Sequence, residues 1–200
     1  MKLGIVGPQA SKWTEKQKIE CQATIWAILW GQCAMPHIME GDRRVKLELV
    51  EWEKESDVEW NRKFPKANGW RSNAILVSGH CPYGGVDIWS EDLADSLGIE
   101  KIIHKPDVNQ WHDKPISVDC DKKDCYTTHT KLLSGYKSRN IKIAEDVEVL
   151  YCIVPYNPNI AHTCMHHRLS EYPYHPQNGG CWTLKYAVGI GKETHLIVII

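Results

Sequence analysis

The chain has 200 residues, 42% hydrophobic and 24% charged, which is enough apolar material for one domain with a true core. Lys and Arg (24) nearly balance Asp and Glu (25), and a formal net charge of −1 argues against a general nucleic-acid coat, so nucleic acid is not an expected partner. No apolar run approaches the roughly 18–20 residues that span a bilayer. Met1–Gly7 reads as a buried strand rather than an export signal, so the expectation is a soluble, cytoplasmic protein with no membrane partner.

Five short runs rich in Ile, Val and Leu punctuate the chain: Leu3–Gly7, Ala74–Gly79, Ile99–Ile103, Val147–Val154 and Thr194–Ile200. Apolar runs unbroken by polar residues suit strands covered on both faces, as in a parallel sheet. Helix signals fill most of the intervals. Thr14-Glu-Lys-Gln17 fits a capping box, and Ile19, Ala23, Trp26, Ala27 and Trp30 follow at steps of three and four as an apolar stripe. Trp89, Leu93 and Leu97 space a second helix that stops at Gly98. A weaker helix spans Gly135–Asp146, and Cys181–Ile190 ends at Gly191. The alternation predicts an α/β protein, Rossmann-like and doubly wound, with a mostly parallel sheet of about five strands.

Three stretches depart from this alternation. Residues 35–73 carry 15 charged residues between Glu40 and Lys66 and read as an insertion, with a strand expected at Val45–Trp52. The loops His104–Ser134 and Pro155–Asn178 are long and loaded with Cys, His or Tyr, a length that implies function or an internal staple. The whole chain holds eight Cys, ten His and nine Trp beside one Phe. Without an export signal, and with Cys152 inside an apolar run, reduced thiols are expected rather than a disulfide framework. Cys120-x4-Cys125 and Cys164-x2-His167 lie in loops that would leave the same sheet edge. Two such pairs suit a closed, tetrahedral structural zinc site, with thiols in unstapled loops as the other reading. Cys81 and Cys181 sit in glycine-rich turns, but no Cys–His–Asn or Cys–His–Asp spacing supports them as nucleophiles. Trp182 reads as core packing, with stacking on a base as the alternative.

Glycine-rich turns follow three of the apolar stretches: Gly7-Pro-Gln-Ala-Ser11, Gly79-His-Cys-Pro-Tyr-Gly84-Gly85-Val-Asp87 and Asn178-Gly-Gly-Cys-Trp-Thr183. In a parallel sheet such turns share the carboxyl edge, where ligands bind. Glycine admits close backbone approach and helix starts offer unpaired N–H groups, a combination that favours a phosphate. Arg139 could clamp such a group in two-pronged fashion, or could be a solvated cation at a helix start.

The order of these segments resembles the SLOG superfamily of Rossmann-like proteins, which includes DprA and the lonely-guy phosphoribohydrolases, and most resembles its YspA-like branch. Ser78–Asp87 is similar to that superfamily's second glycine turn, Gly135–Ala144 to its Arg-bearing helix, and Gly179-Gly-Cys-Trp-Thr183 to its closing turn. The resemblance covers roughly residues 1–30, 74–103, 135–155 and 178–200. It implies a pocket for a nucleoside monophosphate, or for an ADP-ribose or cyclic ADP-ribose-like molecule, held by a sensor or sequestering protein. By position, Gly7 and Ser11 would lie under the ligand. Gly79, His80, Gly84, Gly85 and Asp87 would form the second turn, Arg139 and Asn140 would face the ligand, and Gly179, Gly180 and Thr183 would hold phosphate. The enzymes of the superfamily carry a Glu where this chain has Tyr186, so the resemblance implies binding before hydrolysis. An N-glycosidic or phosphoester hydrolase using Arg139 with Asp87 or Glu91 is the enzymatic alternative, a DprA-like DNA-associated protein is a third, and a homodimer is expected by the same resemblance.

Overall fold

The structure, a computed structural model, describes residues 1–30, 74–119, 128–159, 175 and 178–200. The expected insertion, with its strand at Val45–Trp52, and all four proposed zinc ligands (Cys120, Cys125, Cys164 and His167) lie outside the described residues. The strands are β1 (Lys2–Val6), β2 (Ile75–Ser78), β3 (Glu100–Ile103), β4 (Lys114–Asp119), β5 (Thr128–Leu133), β6 (Val149–Pro155) and β7 (Glu193–Ile199). The helices are α1 (Glu15–Trp30), α2 (Val86–Leu97), α3 (Tyr136–Asp146) and α4 (Gly179–Gly189).

Five strands form one parallel sheet in the order β3-β2-β1-β6-β7. The chain therefore starts in the centre, winds outward through β2 and β3, and returns to the other side of β1. This is the Rossmann-like, doubly wound α/β architecture expected from the alternation, and all five apolar runs form its strands. Because side chains alternate across a strand, each run feeds two cores. Leu3, Ile5, Leu76 and Ile153 pack with Cys21, Ile25 and Leu29 of α1 and with Trp89, Ala94 and Leu97 of α2. Val6, Val77, Leu150, Cys152 and Val154 pack on the opposite face with Ile143 and Ala144 of α3 and Cys181, Leu184 and Ala187 of α4.

The capping box at α1 is formed: Gln17 N–H donates to Thr14 Oγ1 at 3.3 Å, and Thr14 N–H donates to Gln17 Oε1 at 3.3 Å. The apolar stripe is only partly as expected. Trp26 is buried and Ala27 packs partly buried against the same core, but Ile19 is 52% exposed, and Gln17, Cys21, Thr24, Ile25, Ile28 and Leu29 complete the buried face. Gln17 tolerates burial because its amide also donates to the Tyr156 carbonyl at 2.8 Å. Gly98 ends α2 in the left-handed conformation, φ 67°, as its position after Leu97 predicted.

The stretch His104–Ser134, expected to be a loop, contains an antiparallel ladder of β4 and β5 running from Lys114↔Leu133 to Asp119↔Thr128. Its residues include Lys114, Pro115, Ser117, His129 and Lys131, and Leu132 is 61% exposed, so no apolar run announces it. Backbone pairing holds it together where a buried face does not.

Candidate functional site

The strand order reverses between β1 and β6, and an open α/β sheet binds ligands just beyond the carboxyl ends of its strands at such a switch point. Gly7 follows β1 there. Gly180, in the first turn of α4, approaches so closely that a Cβ on it would lie 2.8 Å from the Gly7 nitrogen. Only hydrogen at that position allows the first and closing turns to touch. The second turn joins the first through Val86 N–H, which donates to the Pro8 carbonyl at 3.4 Å. All three glycine-bearing turns thus meet on one rim.

Arg139 reaches this rim from α3. It is not a solvated cation: its side chain is 8% exposed, and Nη1 donates to Asp87 Oδ2 at 3.0 Å. The guanidinium sits against the second turn, so that any Cβ on Gly79 would overlap Nη1. It also lies over the Tyr136 ring, 5.4 Å from the centroid. Nε is buried and has no hydrogen-bond partner among the described residues. Burial raises the Asp87 carboxyl above the ordinary aspartate range, against the opposing pull of Arg139. Burial likewise pushes up the Tyr136 phenol and the Cys81 thiol beside it.

A second acid–base pair sits one turn further along α2. Glu91, 8% exposed at its side chain, accepts from Ser78 Oγ at 2.6 Å and contacts His80 Nδ1 at 2.7 Å. His80 is the one non-glycine residue with positive φ among those described, at 50°. A side chain in that region costs free energy, a kind of strain that clusters at functional sites.

The remaining expected site residues divide. Asn140 is buried and donates from Nδ2 to the Gly179 carbonyl at 3.3 Å, tying α3 to the closing turn. Thr183 is buried as well, and its hydroxyl donates to the same carbonyl at 2.8 Å, so its proton is already committed within α4. The amides of Gly179 and Gly180 have no acceptor among the described residues. Gly84 and Gly85 turn the chain into α2 with φ of 70° and 96°. Ser11 is exposed in a 3-10 turn, where its hydroxyl accepts from Gln9 Nε2 at 3.0 Å.

Two features escape the sequence reading. Asn178 caps α4 by accepting from Cys181 N–H at 3.1 Å, while its Nδ2 donates to Cys181 Sγ at 3.2 Å and His175 Nδ1 lies 3.8 Å from the same sulfur. A Cys–His–Asn grouping therefore exists at short spacing, His175-x2-Asn178-x2-Cys181. Both Cys181 (0% exposed) and His175 (2%) are sealed in the core, so the grouping fastens the incoming chain to α4 rather than presenting a nucleophile. Trp182 is only half-buried and belongs to an aromatic row, edge-on to Trp111 at 5.3 Å and stacked on Tyr186 at 5.5 Å, instead of the core.

Among the described residues, no group of three or more His, Cys, Asp or Glu could hold a metal ion, no disulfide forms at Cys21, Cys81, Cys152 or Cys181, and no helix is long and apolar enough to cross a membrane. No protein-family profile, curated protein or solved structure matches the chain. The fold and the rim define the class: an α/β protein with a doubly wound parallel sheet and a candidate ligand site at its switch point.

Proposed function

We propose that the protein binds a phosphate-bearing, nucleotide-derived small molecule at this rim, as a sensor or a sequestering protein. The observation that carries the reading is the Arg139 guanidinium. It is fixed by Asp87 and Gly79 where the three turns converge, yet keeps a buried Nε donor without a partner among the described residues. An unsatisfied buried donor costs about 1–3 kcal/mol, and an anionic oxygen bound there removes that cost. Nη1 is taken by Asp87, which leaves the Nε–Nη2 edge of the fork, a two-pronged match for a phosphate. The open amides of Gly179 and Gly180 at the start of α4 add donors of the kind phosphates use.

The test is thermal-shift and calorimetric titration with nucleoside monophosphates, ADP-ribose and cyclic ADP-ribose. At least one of them should raise the unfolding temperature in a concentration-dependent way, because a ligand that binds only the folded state stabilises it. Arg139→Gln should abolish that rise. A wild-type protein indifferent to all of them at millimolar concentration refutes the reading.

A further inference from the structure

The second acid–base pair carries the inference. Glu91 is buried and, with Ser78 Oγ donating to Oε1, serves as the acceptor at both oxygens. With Glu91 as a carboxylate, the tautomer that fits the contact has the proton on His80 Nδ1, bridging to Oε2, and in a neutral imidazole this makes Nε2 the acceptor. The His80 side chain is 37% exposed, and Nε2 has no partner among the described residues. A carboxylate that orients an imidazole and leaves its other nitrogen open is the arrangement of a general base. His80 also follows Gly79 directly, the residue on which the Arg139 guanidinium rests. A proton acceptor and an anion clamp are thus adjacent.

We infer that the protein is a hydrolase of phosphoesters, with His80 as general base and Glu91 as the residue that positions it. This rests on the phosphate-binding reading of the same rim. In the step inferred, Arg139 holds the phosphoryl group and a water oxygen attacks phosphorus while His80 Nε2 takes the water proton. The bond from phosphorus to the ester oxygen breaks with its electron pair going to that oxygen, which is protonated by the imidazolium or by solvent. The products are an alcohol and a phosphate one ester bond poorer. Phosphorus is preferred over the N-glycosidic carbon because both carboxylates near the second turn are already engaged. Asp87 pairs with Arg139 and Glu91 holds His80, so neither is left to stabilise an oxocarbenium ion.

The experiment incubates the full chain with AMP, 2′,3′-cyclic AMP and ADP-ribose and separates the products, with thermal shift on the same samples. The wild type should hydrolyse a phosphoester bond in at least one of them. His80→Asn, chosen because Asn accepts the left-handed backbone, should fold, keep the thermal shift, and lose about 10²–10⁴-fold in kcat. Glu91→Gln should also lower kcat with KM little changed, because an amide donating to Nδ1 places the ring proton on Nε2. Binding without turnover by the wild type, equal turnover by His80→Asn, or release of free base in place of phosphoester cleavage overturns the inference while leaving the binding reading intact. Absence of any thermal shift in the wild type overturns the binding reading, and the inference with it.

Discussion

Asp87 and Glu91 lie four residues apart on α2, are both buried, and each holds a basic side chain, yet they make different devices. Asp87 faces Arg139, a permanent cation as buried as itself, so the pair is a fixed strut that aims a guanidinium. Glu91 faces His80, an imidazole that reaches solvent, so the pair presents a polar ring at the open rim instead of closing on itself. The difference teaches that burial of the carboxylate does not set the role. The exposure and chemistry of its partner do.

Removing one member of the strut should have the largest effect on stability. Arg139→Ala leaves the Asp87 carboxyl buried alone and should cost about 3–5 kcal/mol in denaturant unfolding. The double variant Asp87→Asn/Arg139→Ala should recover part of that loss, since no charge is then stranded. If Arg139→Ala were as stable as the wild type, the strut would have no structural role. Glu91→Gln should cost less, about 1–2 kcal/mol, because the amide still accepts from Ser78 and only the charge-assisted bond to His80 is altered. A loss as large as that of Arg139→Ala would erase the distinction between the pairs.

Acidity sharpens the contrast further. The folded Asp87 carboxyl titrates above its unfolded value, so its contribution to stability is full below the unfolded value and lost as pH rises through the folded one. Asp113 behaves oppositely. Ser138 Oγ–H, the larger influence, and Gly135 N–H hold its carboxyl below the ordinary range. Its contribution is therefore present above the unfolded value and lost as pH falls through the folded one. Unfolding free energies of Asp87→Asn and Asp113→Asn, each compared with wild type across pH, should diverge from it with opposite slopes. The smallest effect is expected away from the rim: Thr14→Ala at the α1 cap should cost about 1 kcal/mol.

The parts legible in the sequence were those written in local periodicity. Strands buried on both faces appear as apolar runs, and Thr14, Gln17 and Gly98 mark helix ends by side chain or backbone chemistry close in sequence. The convergence of the glycine turns was legible too, because parallel topology places every strand-to-helix turn at one edge. The ladder of β4 and β5 was not, since exposed strands held by backbone bonds need no apolar pattern. Nor were the pairings that build the site. Arg139 meets Asp87 across 52 residues, and His80 meets Glu91 across a turn and half a helix, separations at which no spacing rule operates. In α1 the spacing marked Trp26 and Ala27 but not Gln17, which hides a polar head by bonding the Tyr156 carbonyl, a partner 139 residues away.

The start of α3 has a consequence of its own. Asp113 accepts from Gly135 N–H and Ser138 Oγ–H, while the carbonyls of Gln110 and Trp111 accept from the next two amides, so the segment ahead of β4 fills a helix end of the kind that anions occupy elsewhere. The arginine is thereby mounted on a beam whose root is bolted outside the sheet. The segment that carries Trp111 and Asp113 is thus tied at once to the helix that holds Arg139 and, through Trp182, to the closing turn.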